Sequence, residues 1–378
     1  MTRRVLITGG AGFIGSHIAT RLLDSGAEVR VFDALHPQVH AERKRPSYLH
    51  PDAELIIGDL RDPAAVRRAL DGIDSVIHLA ARVGVAQSMY ELSEYASTNA
   101  LGTAVLLEAL TQHRVERLVV ASSMSIYGEG LYVDDSGRPC ENASRTREQL
   151  EAGRWQPVGE HGQPLEPVAT PESKQPSACS SYALEKYYQE RLCLIFGATY
   201  EVPTTALRLF NVYGPHQALS NPYTGVLAIF ASRLLNGRPP LIFEDGEQRR
   251  DFVSVKDVAS AFALALVSPD VDGMAINIGS GQSVTINEIA TRFARVLGRE
   301  DVGRAINGKY RAGDIRHCFA DISRADRVLR YRPEVSMDDG MREFAAWLEG
   351  QVAVDRVDQM AAELSARSLM LGGGPRIQ

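Results

Sequence analysis

The chain has 378 residues, of which 44% are hydrophobic, and a formal net charge of −6 at pH 7. This length suits one large domain or two lobes that share a cleft, and the charge gives no signal for nucleic acid or a membrane surface. Neither a signal peptide nor an apolar run of roughly 18 residues is found. The cysteines contain no CxxC pair, so a reduced, cytoplasmic protein with free thiols is expected; they are Cys140, Cys179, Cys193 and Cys318.

Short β-branched runs alternate with amphipathic stretches over the first half of the chain. The predicted strands are VLITGG, VRVFD, ELIIGD, SVIHLAA and RLVVASS, and the predicted helices include HIATRLLDSG and TNALGTAVLLEALTQH. Such alternation is typical of a parallel sheet with helices on both faces. We therefore predict an α/β fold, with a doubly wound parallel Rossmann sheet over residues 1–202.

From about Pro203 the alternation becomes less regular. Here TTALRLFNVYG and MAINIGS are predicted strands, and GVLAIFASRLLNG and INEIATRFARVLG are predicted helices. We expect residues 203–350 to form mainly a smaller substrate-binding α/β lobe over the carboxyl edge of the sheet. Residues 351–378 are expected to form a helix and a partly disordered tail, frayed in SARSLMLGGGPRIQ.

Glycines with GxxGxxG spacing lie between the first predicted strand and the first predicted helix. This spacing lets the backbone approach a pyrophosphate at the helix N-terminus. Asp33 ends the second strand, 18 residues beyond Gly15. An acid at this point accepts hydrogen bonds from a ribose 2′-hydroxyl and repels a 2′-phosphate, so the pattern predicts NAD rather than NADP. The predicted cofactor contacts in this region are Gly9, Gly12, Phe13, Ile14, Gly15 and Asp33.

A basic cluster follows Asp33 and leaves an alternative open. Arg43, Lys44 and Arg45 could bind a 2′-phosphate, but a solvated surface is favoured because the nearest of them lies ten positions beyond the acid. The segments GDLRD and HLAA end the third and fourth strands at the same sheet edge. They predict adenine and ribose contacts at Asp59, Leu60, Leu79, Ala80 and Ala81.

A second motif is SSYALEKYYQERL, in which Tyr182 and Lys186 lie one helical turn apart on the same face. An ammonium beside a phenol favours phenolate, which lowers its pKa and lets it accept and return a proton. Ser123 ends the fifth strand, where its hydroxyl can share the hydrogen on a substrate oxygen with Tyr182. Ser122 and Ser125 beside it are expected to be structural or to face the ligands.

Six segments together resemble the extended short-chain dehydrogenase/reductase family, in its nucleotide-sugar epimerase and dehydratase branch. They are TGGAGFIG, HLAA, SSMSIYG, YALEK, RLFNVYGP and RRDFVSVKDVASAF, and the resemblance runs from about residue 3 to residue 350. It implies tightly held NAD, a UDP- or TDP-linked sugar in the cleft, and a homodimer built on two sheet helices. It further implies catalytic roles for Ser123, Tyr182 and Lys186, cofactor contacts at Asn99, Ser122 and Phe210, and substrate contacts at Ser123, Ser125, Asn211, Asn221, Arg250, Arg311, Arg316 and Cys318.

The three arginines would clamp the diphosphate of the substrate, because guanidinium forks match phosphate oxygens. A solvated surface position is the alternative for Arg316. Cys318 stands where galactose epimerases of this family carry a bulky tyrosine. A small side chain there implies room for a different or larger sugar substituent, although an inert buried thiol remains open.

Tyr127 and Tyr182 are 55 positions apart, further than is usual in the family. The insertion at residues 129–180 is polar and rich in proline and glycine. This composition fits either a lid over the cleft or a loop that only covers part of the surface. No metal site is expected, since Cys140 and His161 are its only strong soft or borderline ligands before Cys179. A long insertion here is similar to that of the TDP-L-rhamnose 4-epimerase group.

The strand end that carries Ser123 lacks a carboxylate. Dehydratases and decarboxylases that the chain resembles have an acid two positions beyond the catalytic hydroxyl, where this chain has Ser125. An ordinary hydroxyl cannot readily remove a C5 proton at neutral pH. The sequence therefore predicts NAD-dependent epimerisation at C4 of a nucleoside-diphosphate sugar through a 4-keto intermediate. Alternatives are a 4,6-dehydratase or uronate decarboxylase, and an NAD-sensing protein without turnover, which would not need a base.

Overall fold

A computed structural model describes residues 3–223 and 225–372, together with a short strand at 376–377. Up to residue 127, strands and helices alternate as predicted. The strands are β1 (Arg4–Thr8), β2 (Glu28–Asp33), β3 (Glu54–Ile57), β4 (Ser75–His78) and β5 (Arg117–Ser123). The helices are α1 (Phe13–Asp24), α2 (Pro63–Leu70), α3 (Val85–Ser88), α4 (Leu92–Ala96) and α5 (Gly102–Gln112), with a π-helical turn at Ser97–Leu101 and a 3₁₀ turn at Met124–Tyr127.

The insertion at 129–180 has secondary structure of its own. It contains β6 (Leu131–Val133), β7 (Pro139–Cys140), α6 (Arg147–Glu151) and β8 (Glu166–Val168). The strands form an antiparallel sheet in the order β7-β6-β8. Helix α6 begins at a threonine cap, because the Thr146 hydroxyl accepts a hydrogen bond from the backbone N–H of Gln149 at 3.2 Å. The insertion is therefore a small folded unit.

The rest of the chain begins with the longest helix and continues in shorter elements. Its helices are α7 (Ser181–Tyr200), α8 (Val226–Leu235), α9 (Val255–Val267), α10 (Ile286–Val296), α11 (Ser323–Leu329), α12 (Met337–Leu348) and α13 (Val357–Ala366). Its strands are β9 (Thr204–Leu209), β10 (Asn211–Tyr213), β11 (Leu241–Ile242), β12 (Arg249–Arg250), β13 (Phe252–Ser254), β14 (Ala275–Ile278), β15 (Val284–Thr285), β16 (Ala305–Ile306), β17 (Tyr310–Arg311), β18 (His317–Cys318), β19 (Met370–Leu371) and β20 (Arg376–Ile377).

The central sheet has seven parallel strands in the order β14-β9-β5-β4-β1-β2-β3. Successive side chains of a strand point to opposite faces. In β1, Ile7 packs in the apolar cluster that includes α1 and α9, whereas Leu6 packs in the cluster that includes α2 and α5. The strand order reverses between β1 and β4, so the carboxyl ends of these two strands flank the crevice where doubly wound sheets bind ligands.

Strands β9 and β14 correct the predicted division of the chain at residue 202. The sequence pattern placed both in the second lobe, whereas they complete the central sheet beside β5. All six residues of β9 are buried, and a strand that is buried on both faces needs helices on both sides of the sheet. The second lobe instead has its own core between α8, α10 and α12, where the rings of Phe293 and Phe344 stack 5.6 Å apart.

Part of the C-terminal segment that was expected to fray is paired with the second lobe. Met370 and Leu371 form β19, which pairs antiparallel with Arg311 and Tyr310 of β17. Met370 is buried in an apolar cluster with Leu364 of α13. The short strand β20 pairs with β16, and residues 373–375 lie outside the described part of the chain. None of the helices described is both long enough and apolar enough to cross a bilayer.

Candidate active site

The turn between β1 and α1 is shaped for a pyrophosphate. Gly9 has φ +68°, and a Cβ there would lie 2.9 Å from the backbone of Ala80 at the end of β4. A Cβ on Gly15 would lie 2.5 Å from Gly10 Cα, so α1 can pack against the turn only with glycine. A Cβ on Gly12 would lie 3.4 Å from the nearest atom, and Gly12 caps α1 without a side-chain bond. The free N–H groups beyond it suit a phosphate.

Asp33 ends β2 beside this turn. Its carboxylate accepts hydrogen bonds from the backbone N–H of Ala11 at 3.0 Å and of Leu35 at 2.8 Å. A carboxylate has about four acceptor positions, so it retains capacity for ribose hydroxyls. The glycine turn and this acid therefore fit NAD. Arg45 donates to carbonyls of its own loop, to His50 at 2.6 Å and Ala53 at 3.1 Å, and this geometry accords with the solvated alternative.

The other predicted cofactor contacts at the sheet edge differ in burial and in their bonds to other protein groups. Asp59 accepts two bonds from the Arg61 guanidinium, which lowers the pKa of this carboxyl. Leu60 is buried, and a Cβ on Gly102 would lie 3.1 Å from its side chain. The three residues after β4 are half-buried, and their contacts with the cofactor stay predictions; they are Leu79, Ala80 and Ala81.

Helix α7 carries Tyr182 and Lys186 beside the end of β5. The backbone N–H of Tyr182 donates to the Ser88 hydroxyl at 3.0 Å, which fixes the start of the helix. The half-buried Ser123 hydroxyl accepts a hydrogen bond from the Ser125 hydroxyl at 2.8 Å, and both serines line the same cavity as Tyr182. Tyr182, Ser123 and Ser125 thus face one cavity, and their catalytic and substrate-binding roles stay predictions.

The electrostatics of this pair differ from the expectation. Burial raises the pKa of Tyr182, and the nearby Ser123 hydroxyl opposes that rise only in part. The Lys186 ammonium donates to Gln189 at 2.7 Å, and no hydrogen bond from it to Tyr182 is found within the described part of the chain. Burial lowers the pKa of Lys186 to about 8. The protein alone therefore does not lower the phenol pKa as predicted, because desolvation outweighs the nearby partners.

Ser122 and Asn99 are committed to other protein groups. Alternation along β5 turns the Ser122 hydroxyl away from Ser123, and it donates to Glu190 at 2.6 Å. This corrects the expected cofactor contact of the Ser122 side chain. The Asn99 amide donates to Glu185 at 2.8 Å and accepts from the backbone N–H of Arg82 at 2.7 Å. Asn99 is fully buried, so its contact with a nicotinamide stays a prediction.

A cavity of about 400 Å³ runs between the sheet edge and the second lobe. Three of its amide side chains have buried oxygens that receive no hydrogen bond from any described residue, and such oxygens can accept from ligand hydroxyls. The sequence motifs predicted one of them, Asn211, and missed the other two, Gln217 and Gln248. The predicted residues that line the cavity are Phe13, Ile14, Ser123, Ser125, Tyr182, Phe210, Asn211, Arg250 and Arg311.

Arg250 and Arg311 are held by one carboxylate on the cavity wall. Asp314 accepts from Arg311 at 2.8 Å and 3.0 Å and lies 3.8 Å from the Arg250 guanidinium. Arg250 also donates to the carbonyls of Ile315 and Arg316. These contacts place the guanidinium groups of Arg250 and Arg311 side by side, an arrangement that suits a diphosphate. The sequence missed Asp314, although its spacing of three from Arg311 is a local signal.

Arg316, predicted as the third clamp residue, points away from the cavity. Its guanidinium donates to Glu244 at 2.9 Å and to Asp245 at 2.6 Å, and the residue is only 4% exposed. Arg145 of the insertion binds the same Glu244 at 2.6 Å. The prediction that Arg316 binds substrate is wrong, because two carboxylates of the second lobe occupy its guanidinium.

Two further predicted substrate contacts also lie elsewhere. Cys318 is 1% exposed in an apolar cluster with Met124 and Phe210, which line the cavity, whereas Cys318 does not. The alternative of an inert buried thiol fits this position, and burial raises its pKa to about 12. Asn221 accepts from Gln38 at 3.1 Å and borders a separate polar cavity of about 430 Å³. Both are corrections, since neither side chain lines the cavity that contains Ser123 and Tyr182.

The insertion does not cover the cavity. None of the described residues that line it comes from 129–180. Instead Glu129 accepts from Tyr132 at 2.7 Å and from the backbone N–H of Arg316 at 2.9 Å, and Thr170 forms a bridge with Ala320. The insertion therefore packs behind the segment that carries Asp314. No cluster of metal ligands is found in the described part of the chain.

The parallel sheet, the glycine turn at its switch point and the Ser–Tyr–Lys group define a dinucleotide-dependent enzyme of the Rossmann type. Residues 5–279 match the model of the NAD dependent epimerase/dehydratase family, and the chain belongs to this family. It is 37% identical to a dTDP-L-rhamnose 4-epimerase from Burkholderia thailandensis, over 92% of this chain and 95% of that protein.

Two other relatives show the breadth of the family. A UDP-N-acetyl-alpha-D-glucosaminuronate decarboxylase from Bacillus cytotoxicus is 30% identical over 92% of this chain and 98% of its own length. The crystal structure of a UDP-glucose 4-epimerase from Thermotoga maritima with UDP-glucose superposes with a TM-score of 0.76, at 30% identity, over 92% of this chain and 99% of that one. Family membership alone therefore does not separate epimerisation from decarboxylation.

Proposed function

We propose that this protein is an NAD-dependent nucleotide-sugar 4-epimerase. One observation carries the choice within the family. Asp314 is the only carboxylate among the described residues that line the cavity, and Arg311 and Arg250 hold it. Ser125 stands where an acid would be needed beside the catalytic hydroxyl, and it donates to Ser123. Without a free acid near the sugar, elimination or decarboxylation has no obvious proton carrier.

The roles of the side chains follow from this arrangement. NAD, when bound at the glycine turn, would supply the hydride acceptor and donor for C4. Tyr182 would accept the proton of the C4 hydroxyl, and Ser123, which lines the same cavity, would donate a hydrogen bond to the same oxygen. Lys186, oriented by Gln189, would place a positive charge behind the phenol. Arg250 and Arg311 would hold the diphosphate while the 4-keto sugar turns over.

The nucleotide and the sugar are chosen from the chemistry of the relatives. Since the B. thailandensis relative is a dTDP-L-rhamnose 4-epimerase and the Thermotoga enzyme binds UDP-glucose, we propose a TDP- or UDP-linked hexose as substrate. The predicted contacts of Asn211 with the substrate and of Asp33 with the adenosine ribose are part of this proposal. A non-catalytic NAD sensor would not need the Ser123, Tyr182 and Lys186 group.

We also propose a homodimer in a reducing compartment, the cytoplasm. Exposed apolar side chains on one face of α7 support the dimer, at Leu184, Tyr188 and Ile195. Free thiols support the compartment, since the four cysteines form no disulfide.

The test uses a TDP- or UDP-sugar that carries deuterium at C4. A panel of such substrates is incubated with the purified protein in D2O, and the products are identified by NMR. We expect a C4 epimer that keeps its deuterium and gains no solvent label at C5 or C6. A 4-keto-6-deoxy product, release of carbon dioxide or label at C5 would instead support a dehydratase or decarboxylase.

Tyr182→Phe, which removes the phenol oxygen and little packing, should abolish turnover while NAD remains bound.

A further inference from the structure

Helix α13 forms part of the cavity wall, although it lies near the end of the chain. Val357 and Met360 line the cavity, and each is 2% exposed. Their side chains pack in one apolar cluster with Leu241 and Phe243 of the second lobe. Met360 thus lies between this apolar cluster and the ligand cavity, and it also borders the polar cavity of about 430 Å³.

The helix is anchored to both sides of the cleft. The Tyr223 hydroxyl donates to Glu363 at 2.8 Å and hydrogen-bonds the Tyr90 hydroxyl at 2.7 Å. Arg367 lies 4.4 Å from the ring centre of Tyr90, in the connection between α3 and α4. At the other end of the helix, Asp358 accepts from Arg233 of α8 at 3.1 Å. Contacts at both ends fix the position of α13 across the cleft.

The chain after α13 returns to the arginine clamp. Met370 of β19 is the partner of Arg311 in the antiparallel pair, and the backbone N–H of Ala312 donates to the Leu369 carbonyl at 3.0 Å. The same C-terminal segment therefore supplies the cavity wall and supports the strand that carries a clamp arginine.

The order of groups along the cavity can be followed through direct contacts. Ile315 packs with the apolar cluster around Met124, next to Ser123, and its carbonyl accepts from Arg250. Arg311 shares Asp314 with Arg250, and its guanidinium lies 4.7 Å from the ring centre of Phe243. Phe243 in turn packs in the cluster of Met360. The arginines thus lie between the Ser123 end and the Met360 end.

We propose that α13 forms the wall of the nucleoside end of the substrate site, with Met360 and Val357 in contact with the base. This inference rests on the proposed function, in which the sugar lies at Tyr182 and the diphosphate at Arg250 and Arg311. A nucleotide sugar has its nucleoside on the far side of the diphosphate from the sugar, which is the Met360 end. A thioether and Phe243 offer a flat base the polarizable, apolar surface that it prefers.

The experiment compares Met360→Ala with Leu364→Ala in the full-length protein. Leu364 lies one turn further along α13 in the same apolar cluster, is fully buried and does not line the cavity. Dissociation constants are measured by calorimetry for dTDP, UDP, inorganic pyrophosphate and NAD. We expect Met360→Ala to weaken dTDP and UDP binding by about tenfold, or about 1.4 kcal/mol, while pyrophosphate and NAD binding do not change. Leu364→Ala should leave all four affinities unchanged.

Three other results would overturn the inference. Unchanged dTDP and UDP binding in Met360→Ala would remove the contact, and an equal loss of pyrophosphate binding would show only a general loosening of the clamp. Losses in Leu364→Ala as large as those in Met360→Ala would assign α13 a supporting role alone. If the wild-type protein binds neither dTDP nor UDP, the proposed function itself fails. Val357→Ala, a smaller change at the same wall, replaces Met360→Ala if that variant does not fold.

Discussion

Lys186 is a buried ammonium at one end of a hydrogen-bond network that several elements form. The Gln189 side-chain oxygen accepts a hydrogen bond from the Lys186 ammonium at 2.7 Å, and its NH2 group donates to the Thr103 hydroxyl at 2.7 Å. That hydroxyl also contacts His78, whose other ring nitrogen lies 2.8 Å from the Thr8 hydroxyl. Burial lowers the pKa of His78 to about 3, so this ring is neutral and adds no competing charge. The network fixes the ammonium without neutralising it.

The lowered pKa of Lys186 predicts a pH dependence of stability. Its pKa is about 8 in the folded protein and about 10.5 in the unfolded chain. Between these values the unfolded chain binds more protons, so stability rises with pH, and below about pH 8 the full penalty of burying the charge is present. Relative to Lys186→Met, the wild-type free energy of unfolding should rise by on the order of 3 kcal/mol between pH 7.5 and pH 10.5.

Urea unfolding at a series of pH values measures this difference. Lys44→Met, which removes a lysine that is 79% exposed, is the control for the change in net charge. A wild-type stability that stays parallel to that of Lys186→Met across this range would contradict the prediction.

The two kinds of arginine in this region predict opposite effects of mutation. Arg250 lines the cavity, whereas Arg316 is bound to Glu244 and Asp245. Arg250→Ala should weaken dTDP or UDP binding by about 2 kcal/mol, the range for a charge-assisted hydrogen bond, with little change in NAD binding. Arg316→Ala should chiefly lower the melting temperature, because it removes one of the two arginines that offset the charge of the buried Glu244 carboxylate. Calorimetry and thermal unfolding separate the two, and equal losses for both ligands in Arg250→Ala would place this arginine elsewhere.

At the scale of elements, the insertion and the β11–β12 connection depend on each other. Glu244 has φ +54°, a region that favours glycine, and its side chain is 1% exposed. Arg145 of the insertion and Arg316 neutralise its charge at 2.6 Å and 2.9 Å. Arg145 also donates to the Asp314 carbonyl at 2.9 Å. The insertion therefore supports the clamp from behind.

Arg145→Ala should destabilise the protein by roughly 3 kcal/mol, because it removes a partner from buried carboxylates. It should also weaken dTDP and UDP binding, since Asp314 loses an anchor. The matched control is Arg147→Ala in the same segment, whose guanidinium is 68% exposed and pairs with Glu151, and it should cost less than about 1 kcal/mol. Denaturant unfolding and calorimetry of both variants test this. An insertion that only decorates the surface would make the two variants alike.

At the scale of the whole molecule, α7 leaves an apolar face uncovered. Leu184, Tyr188 and Ile195 are spaced along one side of the helix and are 60%, 42% and 53% exposed. Leu101, at the start of α5 on the same side of the sheet, is 53% exposed. Several exposed apolar side chains on one face support the proposed dimer interface.

Leu184→Glu should convert the proposed dimer to a monomer, because a charge on each copy would be buried against its symmetry mate. Light scattering after size-exclusion chromatography measures the mass. Val267, the last residue of α9, is 68% exposed, and the control variant Val267→Glu should remain a dimer. A wild-type protein that runs as a monomer would refute the interface, and a dimer that persists in Leu184→Glu would place it on another face.

Much of the fold and part of the site could be predicted from the sequence because their signals are local. The alternation of strands and helices follows from side-chain periodicity, and the glycine turn, Asp33 and the Tyr182–Lys186 pair follow from spacing within single elements. The motifs also predicted the Ser123 position, since strand ends in a parallel sheet meet at one edge.

Only the tertiary structure decided which charged and polar groups face the cavity. Arg250 and Arg316 look alike in sequence. In the structure, Glu244 and Asp245 bind Arg316. Arg250 instead lies near Asp314. The placement of β9 and α13 likewise depended on contacts across the chain. A buried side chain takes whichever partner best offsets its desolvation, and that partner is brought near by long-range packing that no local pattern records.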